Sequence, residues 1–429
     1  MSAALPLPLR AAARPATNLP FALAVLLVLA LQFGPMVGLL GFRASGADRW
    51  TLVGLARDVL VAALVLFGLP SWLAGRRRWP ASMRWALAIV LADLVFALLS
   101  SSTLFVLAFN LRRLVLVPLL FMALWCIPWT PRQLQILFRL LLGSSVLVAL
   151  LGLVERALPV SLWTSLLDID RYNAANAVDR FGAIAFEDSG RFYSWDLETW
   201  LHTPLRRMVS TYLEPTTLAA AMASALVLAL AQGARGRPAA GATLLFAACG
   251  VLTLSKGFVL FLPALLAWRL LGIPSPRQAL LCALLLVVAA WGLSRLGFGA
   301  GAAALHVDGL LSALRYLSEG HFIGEGLGEA GNYANSDSEI GAESGLGNVI
   351  AQVGLAALLP LLWVGALARD VMATATVRRD PAGPWMAGWL LFWLISYLLS
   401  ASSLGVGGNA LGFMALALYI HPAAGRSAR

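Results

Sequence analysis

The chain has 429 residues, of which 60% are hydrophobic and 12% charged, with a formal net charge of +10 and a mean hydropathy of +0.82. One soluble core cannot hide that much apolar surface, so the composition excludes an ordinary soluble protein and points to a polytopic membrane protein. Nor does the basic balance indicate nucleic acid: the arginines fall largely in short links between apolar runs and form no stripe interleaved with aromatics.

Arg10 and Arg14 precede an apolar run over residues 19–41, longer than a signal-peptide core and without a convincing cleavage site, which predicts a retained first helix. Runs long enough to span recur at residues 50–74, 84–101, 103–127, 136–158, 211–232, 240–254, 257–272, 278–298, 343–368, 384–402 and 404–421. The expected fold is therefore an all-α polytopic membrane protein of about twelve spans, within about ten to fourteen, forming a single transmembrane domain over 1–429. Cys126, Cys249 and Cys282 lie inside these runs without metal-ligand spacing, so neither a disulfide nor a metal site is implied.

Arg76, Arg77, Arg78 and Arg84, then Arg132, Arg235 and Arg237, Arg269 and Arg277, and Arg378 and Arg379 occupy alternate links and should share one side. That side is expected to be cytoplasmic, with both termini. The opposite, periplasmic side then receives two long segments, residues 159–209 and 299–342, and long polar segments in a compact membrane protein usually carry function.

Residues 159–209 mix acids with Trp163, Phe192, Tyr193, Trp195 and Trp200, which fit either an interfacial aromatic belt or stacking against sugar rings. Asp168-Ile-Asp170 resembles a metal- and sugar-nucleotide-binding pair of soluble glycosyltransferases, but its expected side lacks sugar nucleotides. Residues 299–342 contain Gly324-x-Gly326-x-Gly328, without the strand before and helix after that a nucleotide loop needs. These glycines suit a loop that turns sharply or approaches a ligand, or one that is merely flexible.

Ionised side chains inside hydrocarbon cost roughly 2.5 to 3.5 kcal/mol on insertion scales, so they usually face a cavity, a partner or a substrate. Here the periplasmic halves of several runs carry Arg57, Asp58, Arg112, Arg113, Arg206, Arg207, Glu214, Lys256 and Glu343. An Arg57–Asp58 or Arg113–Asp93 pair has a structural reading, and Lys256 alone fits a snorkelling residue. Together they suggest a site for a membrane-resident polyanion such as a lipid diphosphate, because guanidinium forks match phosphate geometry.

Three motifs resemble one family, the O-antigen ligase and O-antigen polymerase superfamily of integral-membrane glycosyltransferases. Residues 207–215, RMVSTYLEP, are similar to its Arg-x-x-(Gly/Ser)-Thr-Phe-x-x-Pro; residues 252–257, LTLSKG, resemble its Thr-x-Ser-Arg-Gly turn with Lys256 replacing arginine. Residues 324–328, GEGLG, and 343–354, ESGLGNVIAQVG, resemble its glycine loop and following helix. Each motif is loose, but their order and spacing within a two-loop topology extend the likeness from about residue 50 onward.

The resemblance implies a GT-C-like, metal-independent inverting glycosyltransferase without cofactors, in the bacterial inner membrane with its active site facing the periplasm. Donor and acceptor would be undecaprenyl-diphosphate-linked glycans, with membrane lipids, a flippase and a chain-length regulator as partners. Glu343 would take or position the acceptor hydroxyl proton, while Arg207, Lys256, Arg112, Arg113 and Arg57 would hold the departing diphosphate. Glu214, His321, Ser344, Trp195 and Tyr193 are weaker candidates for contacting substrate, Glu214 reading equally as a charge at a helix start. Ligases of the family carry His-Asn where this chain has Glu343-Ser344, which favours a polymerase of exopolysaccharide or O-antigen repeat units. A ligase to lipid A-core survives as an alternative through His321; His202, His306 and His421 read as incidental. From another class, a lipid-linked oligosaccharide flippase or transporter would be expected to show an internal repeat, and the halves show none.

Overall fold

The computed structural model describes residues 18–46, 50–74, 79–171, 192–194, 202–270, 288, 292, 300–330 and 343–425. Within them the chain is all-α apart from one two-residue strand pair, β1 (Tyr193–Ser194) with β2 (Leu205–Arg206). Among the described residues, 7 helical stretches are long and apolar enough to cross a membrane, and the shorter apolar helices Ala240–Leu252, Gly383–Leu399 and Gly407–Ile420 accompany them. The expected run at 278–298 and the links at Arg76, Arg77 and Arg78 lie outside the described residues, Val288 and Gly292 excepted.

In chain order the helices are α1 (Asn18–Ser45), α2 (Trp50–Leu73), α3 (Ala81–Leu99), α4 (Leu104–Cys126), α5 (Pro131–Ala157), α6 (Val160–Leu167), α7 (Pro215–Ala234), α8 (Ala240–Leu252), α9 (Lys256–Leu270), α10 (Ala300–Ser318), α11 (Gly345–Val353), α12 (Leu359–Arg378), α13 (Gly383–Leu399) and α14 (Gly407–Ile420). Helix starts follow local chemistry. At α5 the Thr130 side chain accepts from Gln133 N while the Gln133 side chain accepts from Thr130 N, with Pro131 in the first turn where its missing N–H costs nothing.

Helices α7, α13 and α14 form the buried centre, while α2 and α3 present Leu66, Leu98 and Leu99 outward, as a lipid-facing helix does. One polar cluster inside the bundle is satisfied internally. Gln32 on α1 donates to Ser145 on α5 at 2.8 Å and accepts from Tyr212 Oη at 2.8 Å, and its carbonyl accepts from Thr211 at 2.6 Å. Leaving such groups unpaired in an apolar interior would cost far more than their net bonds contribute.

Alternate links do gather at opposite ends. At one end Arg235 holds Asp380 with two bonds of 3.0 and 2.5 Å, Arg378 donates to the carbonyls of Tyr419 and His421, and the His421 ring bonds Ile127 O at 3.0 Å. At the other end Ser100 donates to Leu327 O, Arg207 to Thr253 O, and Ser344 to Leu398 O. This second end carries the segments expected to be functional.

Residues 343–368 do not form one span. The helical stretch Gly345–Arg378 contains 34 residues, which at 1.5 Å each is about 51 Å, well beyond a hydrocarbon core of about 30 Å. It breaks at Gly354, whose φ of 60° and ψ of −131° are open essentially to glycine alone, and a 3-10 turn (Gly354–Leu358) leads into α12. α11 starts beside the end of α13 and finishes where Gln352 meets the glycine loop on the α3–α4 link, so it lies across this end. α12, at about 30 Å, is the spanning piece.

Residues 299–342, expected as a loop, open with α10, which runs beside α11 in the same direction: His306 meets Glu343, and Phe322 O accepts from Leu355 N at 2.9 Å. The glycine loop, for which a merely flexible segment was one reading, is pinned over 320–330. Gly324, Gly326 and Gly328 all have positive φ, and Glu325 N, Gly326 N and Gly328 N bond Ala351 O, Gln352 O and Gln352 Oε1 at 2.8, 3.0 and 3.0 Å. Residues 331–342 lie outside the described residues.

Candidate functional site

Two of the three motifs meet directly. Residues 207–209 run beside the α8–α9 turn: Met208 N donates to Leu252 O at 2.9 Å, and Arg207 Nε donates to Thr253 O at 3.0 Å. The turn itself is held by Thr253 Oγ1, which donates to Gly250 O and accepts from Ser255 N. Lys256 then opens α9, so Arg207 and Lys256 flank one short turn.

The third motif approaches through α13. Gly257 packs on Ser396 so closely that a Cβ would lie 3.0 Å from its Oγ, while Ser344 Oγ donates to Leu398 O at 2.8 Å. The sequence neighbours of Lys256 and Glu343 therefore both touch the last turn of α13. Glu343 is 48% exposed, and the side chain beside it is His306: Nδ1 lies 3.8 Å from the carboxylate and 3.0 Å from the Glu343 carbonyl. The sequence reading treated His306 as incidental because 37 positions separate the two. The Glu343 carboxylate thus meets an imidazole contributed by α10.

Arg57 and Arg112 converge on Asp58, at 3.7 and 2.5 Å, forming a cation–acid–cation row between α2 and α4. Arg113 points to another side of α4 and lines a narrow cavity roofed by Val349 of α11, with Asp93, Trp363, Trp393 and Ser403 around it. The five expected cations thus divide into three groups: Arg207 with Lys256, Arg57 with Arg112, and Arg113 in the cavity.

Several weaker candidates have structural positions. Glu214 is the N-cap of α7, its carboxylate accepting from the backbone N–H and hydroxyl of both Thr216 and Thr217. Ser344 is the fully buried N-cap of α11, accepting from Gly347 N at 3.1 Å. His321 supplies no imidazole to Glu343: it stacks on Tyr316 at 4.1 Å on the exposed tip of the α10 turn. Burial, and then the charge of Glu325, pushes that tyrosine's phenol above its ordinary value. Tyr193 sits in β1 opposite Arg206, and Trp195 lies outside the described residues. His421, read as incidental, is a buried clamp whose Nδ1 accepts from Ala423 N. Asp168 is the left-handed C-cap of α6, 3.4 Å from Arg171, and the described residues contain no group of three metal-ligating side chains.

Two acids escaped the sequence reading. Glu155, fully buried near the end of α5, accepts from Arg206 Nη2 at 3.0 Å, Val209 N at 3.1 Å and Ser210 N at 3.4 Å, lashing the Arg207 segment to the bundle. Glu329 accepts from Ser101 and Ser102 at 3.1 and 2.7 Å, fixing the glycine loop to the α3–α4 link. An acid inside an apolar run was the available signal for Glu155; nothing local marked Glu329.

Comparison with family models and with curated protein sequences finds no match for the chain.

Proposed function

We propose that the chain is an integral-membrane glycosyltransferase that polymerises undecaprenyl-diphosphate-linked oligosaccharide repeat units at the periplasmic face of a bacterial inner membrane. One observation supports the reading: the three motifs meet, Arg207 on Thr253 O before Lys256, Gly257 on Ser396 and Ser344 on Leu398 O at the last turn of α13. About twelve spans and a GT-C-like arrangement belong to the same proposal.

In this reaction the acceptor hydroxyl oxygen bonds to the anomeric carbon of the growing chain and its proton passes to the Glu343 carboxylate. The anomeric carbon–oxygen bond breaks, and its electron pair leaves on the diphosphate of the departing carrier lipid. Arg207 and Lys256 supply the charge that stabilises that leaving group, in a setting where fixed cations act more strongly than in water. Attack from the face opposite the diphosphate inverts the anomeric centre.

The test is conversion of a purified lipid-linked repeat unit followed on a gel. Wild type should give a ladder, and Glu343→Gln and Arg207→Ala unreacted repeat; a full ladder from Glu343→Gln removes that residue as the base. A ligase reading draws support from the His306 imidazole beside Glu343, and a single product formed only with added lipid A-core would favour it.

A further inference from the structure

We infer that His306 is a positioning residue that holds Glu343 in the conformation presenting its carboxylate at the end of α13. The inference rests on the reading of Glu343 as the group that takes the acceptor proton, and it extends that reading to a second residue in another helix.

Glu343 has a φ of 68°, a left-handed backbone that a residue with a Cβ adopts at a cost and glycine adopts freely. A conformation of this kind persists only when its surroundings over-determine it, and such residues cluster at functional sites. Here two restraints hold the peptide that follows it. Ser344 anchors the next residue by capping α11 and donating to Leu398 O. On the same peptide His306 Nδ1 lies 3.0 Å from the Glu343 carbonyl. A carbonyl only accepts, so Nδ1 carries the hydrogen of this bond. The same ring edge lies 3.8 Å from the Glu343 carboxylate, so one imidazole fixes the backbone and flanks the side chain. His306 itself is held by α10, which runs beside α11 and is tied to it again where Leu355 N donates to Phe322 O.

The test uses the full chain in nanodiscs and isosteres that separate the two ring nitrogens. Asparagine places an amide N–H where Nδ1 stands, whereas glutamine places its amide at the Nε2 position. Hydrogen exchange of the amides at 344–348 should quicken roughly fivefold to tenfold in His306→Ala and His306→Gln, about what one net hydrogen bond does to a local opening, and stay near wild type in His306→Asn. Polymerisation should follow the same order, with kcat falling and KM for the repeat unit little changed. Unchanged exchange in His306→Ala overturns the inference whether or not the chain polymerises. Quickened exchange with undiminished kcat overturns the positioning role as well. If wild type yields no polymer, the proposed function fails, and a Glu343→Gly companion still decides the restraint. Relieved of its costly φ, Glu343→Gly should melt at a higher temperature than wild type, and a lower melting temperature would count against a held left-handed turn.

Discussion

Glu155 offers the sharpest test of how the Arg207 segment is held. In Glu155→Ala the buried carboxylate disappears, and with it the acceptor of Arg206 Nη2, Val209 N and Ser210 N. Arg206, whose side chain is only 12% exposed, keeps its bonds to the Glu155 and Leu158 carbonyls but loses its counter-ion. Breaking one partner of a buried ion pair costs about 3 to 5 kcal/mol, and the two stranded amides place this site inside that range. Glu155→Gln retains one carbonyl acceptor and should cost about 1 to 2 kcal/mol. Titrating the purified protein from mixed micelles into SDS and following helix loss reads both values. Replacing Glu155 and Arg206 together by methionine should recover part of the loss, since no charge is then left buried, but not all of it, since two amides still lack acceptors. A Glu155→Ala protein within about 0.5 kcal/mol of wild type would refute the reasoning and leave the Arg207 segment held by other contacts.

Three further outcomes follow from single positions. Gly354→Ala puts a Cβ 2.0 Å from Phe322 O on a backbone nearly closed to other residues, so it should cost about 3 kcal/mol and open the glycine loop to proteolysis. Glu214→Ala removes the N-cap of α7 and should cost about 1 kcal/mol; if Glu214 contacts no substrate, transfer activity assayed below the melting temperature stays near wild type. For Asp380, burial alone would raise the carboxyl, but hydrogen bonds from Arg235 and Ala382 N and the charge of Arg235 outweigh it and hold it below the ordinary 3.8. A depressed carboxyl stabilises the fold above its unfolded value and loses that contribution as pH falls through its folded value. The melting-temperature gap between wild type and Asp380→Asn should therefore be constant near neutrality and close below about pH 4.

The features legible in the sequence were those with a one-dimensional signature. Apolar runs announced α1 to α5 and α7, and one of the two readings of Glu214 was a charge at a helix start, because hydropathy and capping depend on neighbours a few positions away. Two of the arginine-bearing links expected to share an end, those at Arg235 and at Arg378–Arg379, meet through the Arg235–Asp380 pair. The break at Gly354 was hidden because α11, roofed by α10 and the glycine loop, is as apolar as a span. What decides that it lies flat is contact with residues far away in sequence. The site was half visible for the same reason. Arg207, Lys256 and Glu343 stand in local motifs, whereas Glu155 meets Arg206 across 51 positions and His306 meets Glu343 across 37.

The polarity of residues 343–353 has an internal division of labour that narrows the chemistry. Ser344, Asn348 and Gln352 fall at a spacing of four and so share one face of α11. All are buried, and their side chains bond Leu398 O, one another and Gly328 N, which is what a helix lying across the bundle needs to keep its register. The Ser344 and Gln352 groups are spent on structure, as is Asn348 Oδ1, whereas Asn348 Nδ2 is buried without a hydrogen-bond partner. Residues 344–353 are buried without exception, while Glu343, one position outside the helix and turned left-handed, is exposed. A helix built in this way leaves the Glu343 carboxylate exposed at its head, next to the last turn of α13 that Gly257 also touches. In the proposed reaction that exposure favours Glu343 as the proton acceptor over Glu155 and Glu214, whose oxygens are already occupied by Arg206, backbone and hydroxyl donors.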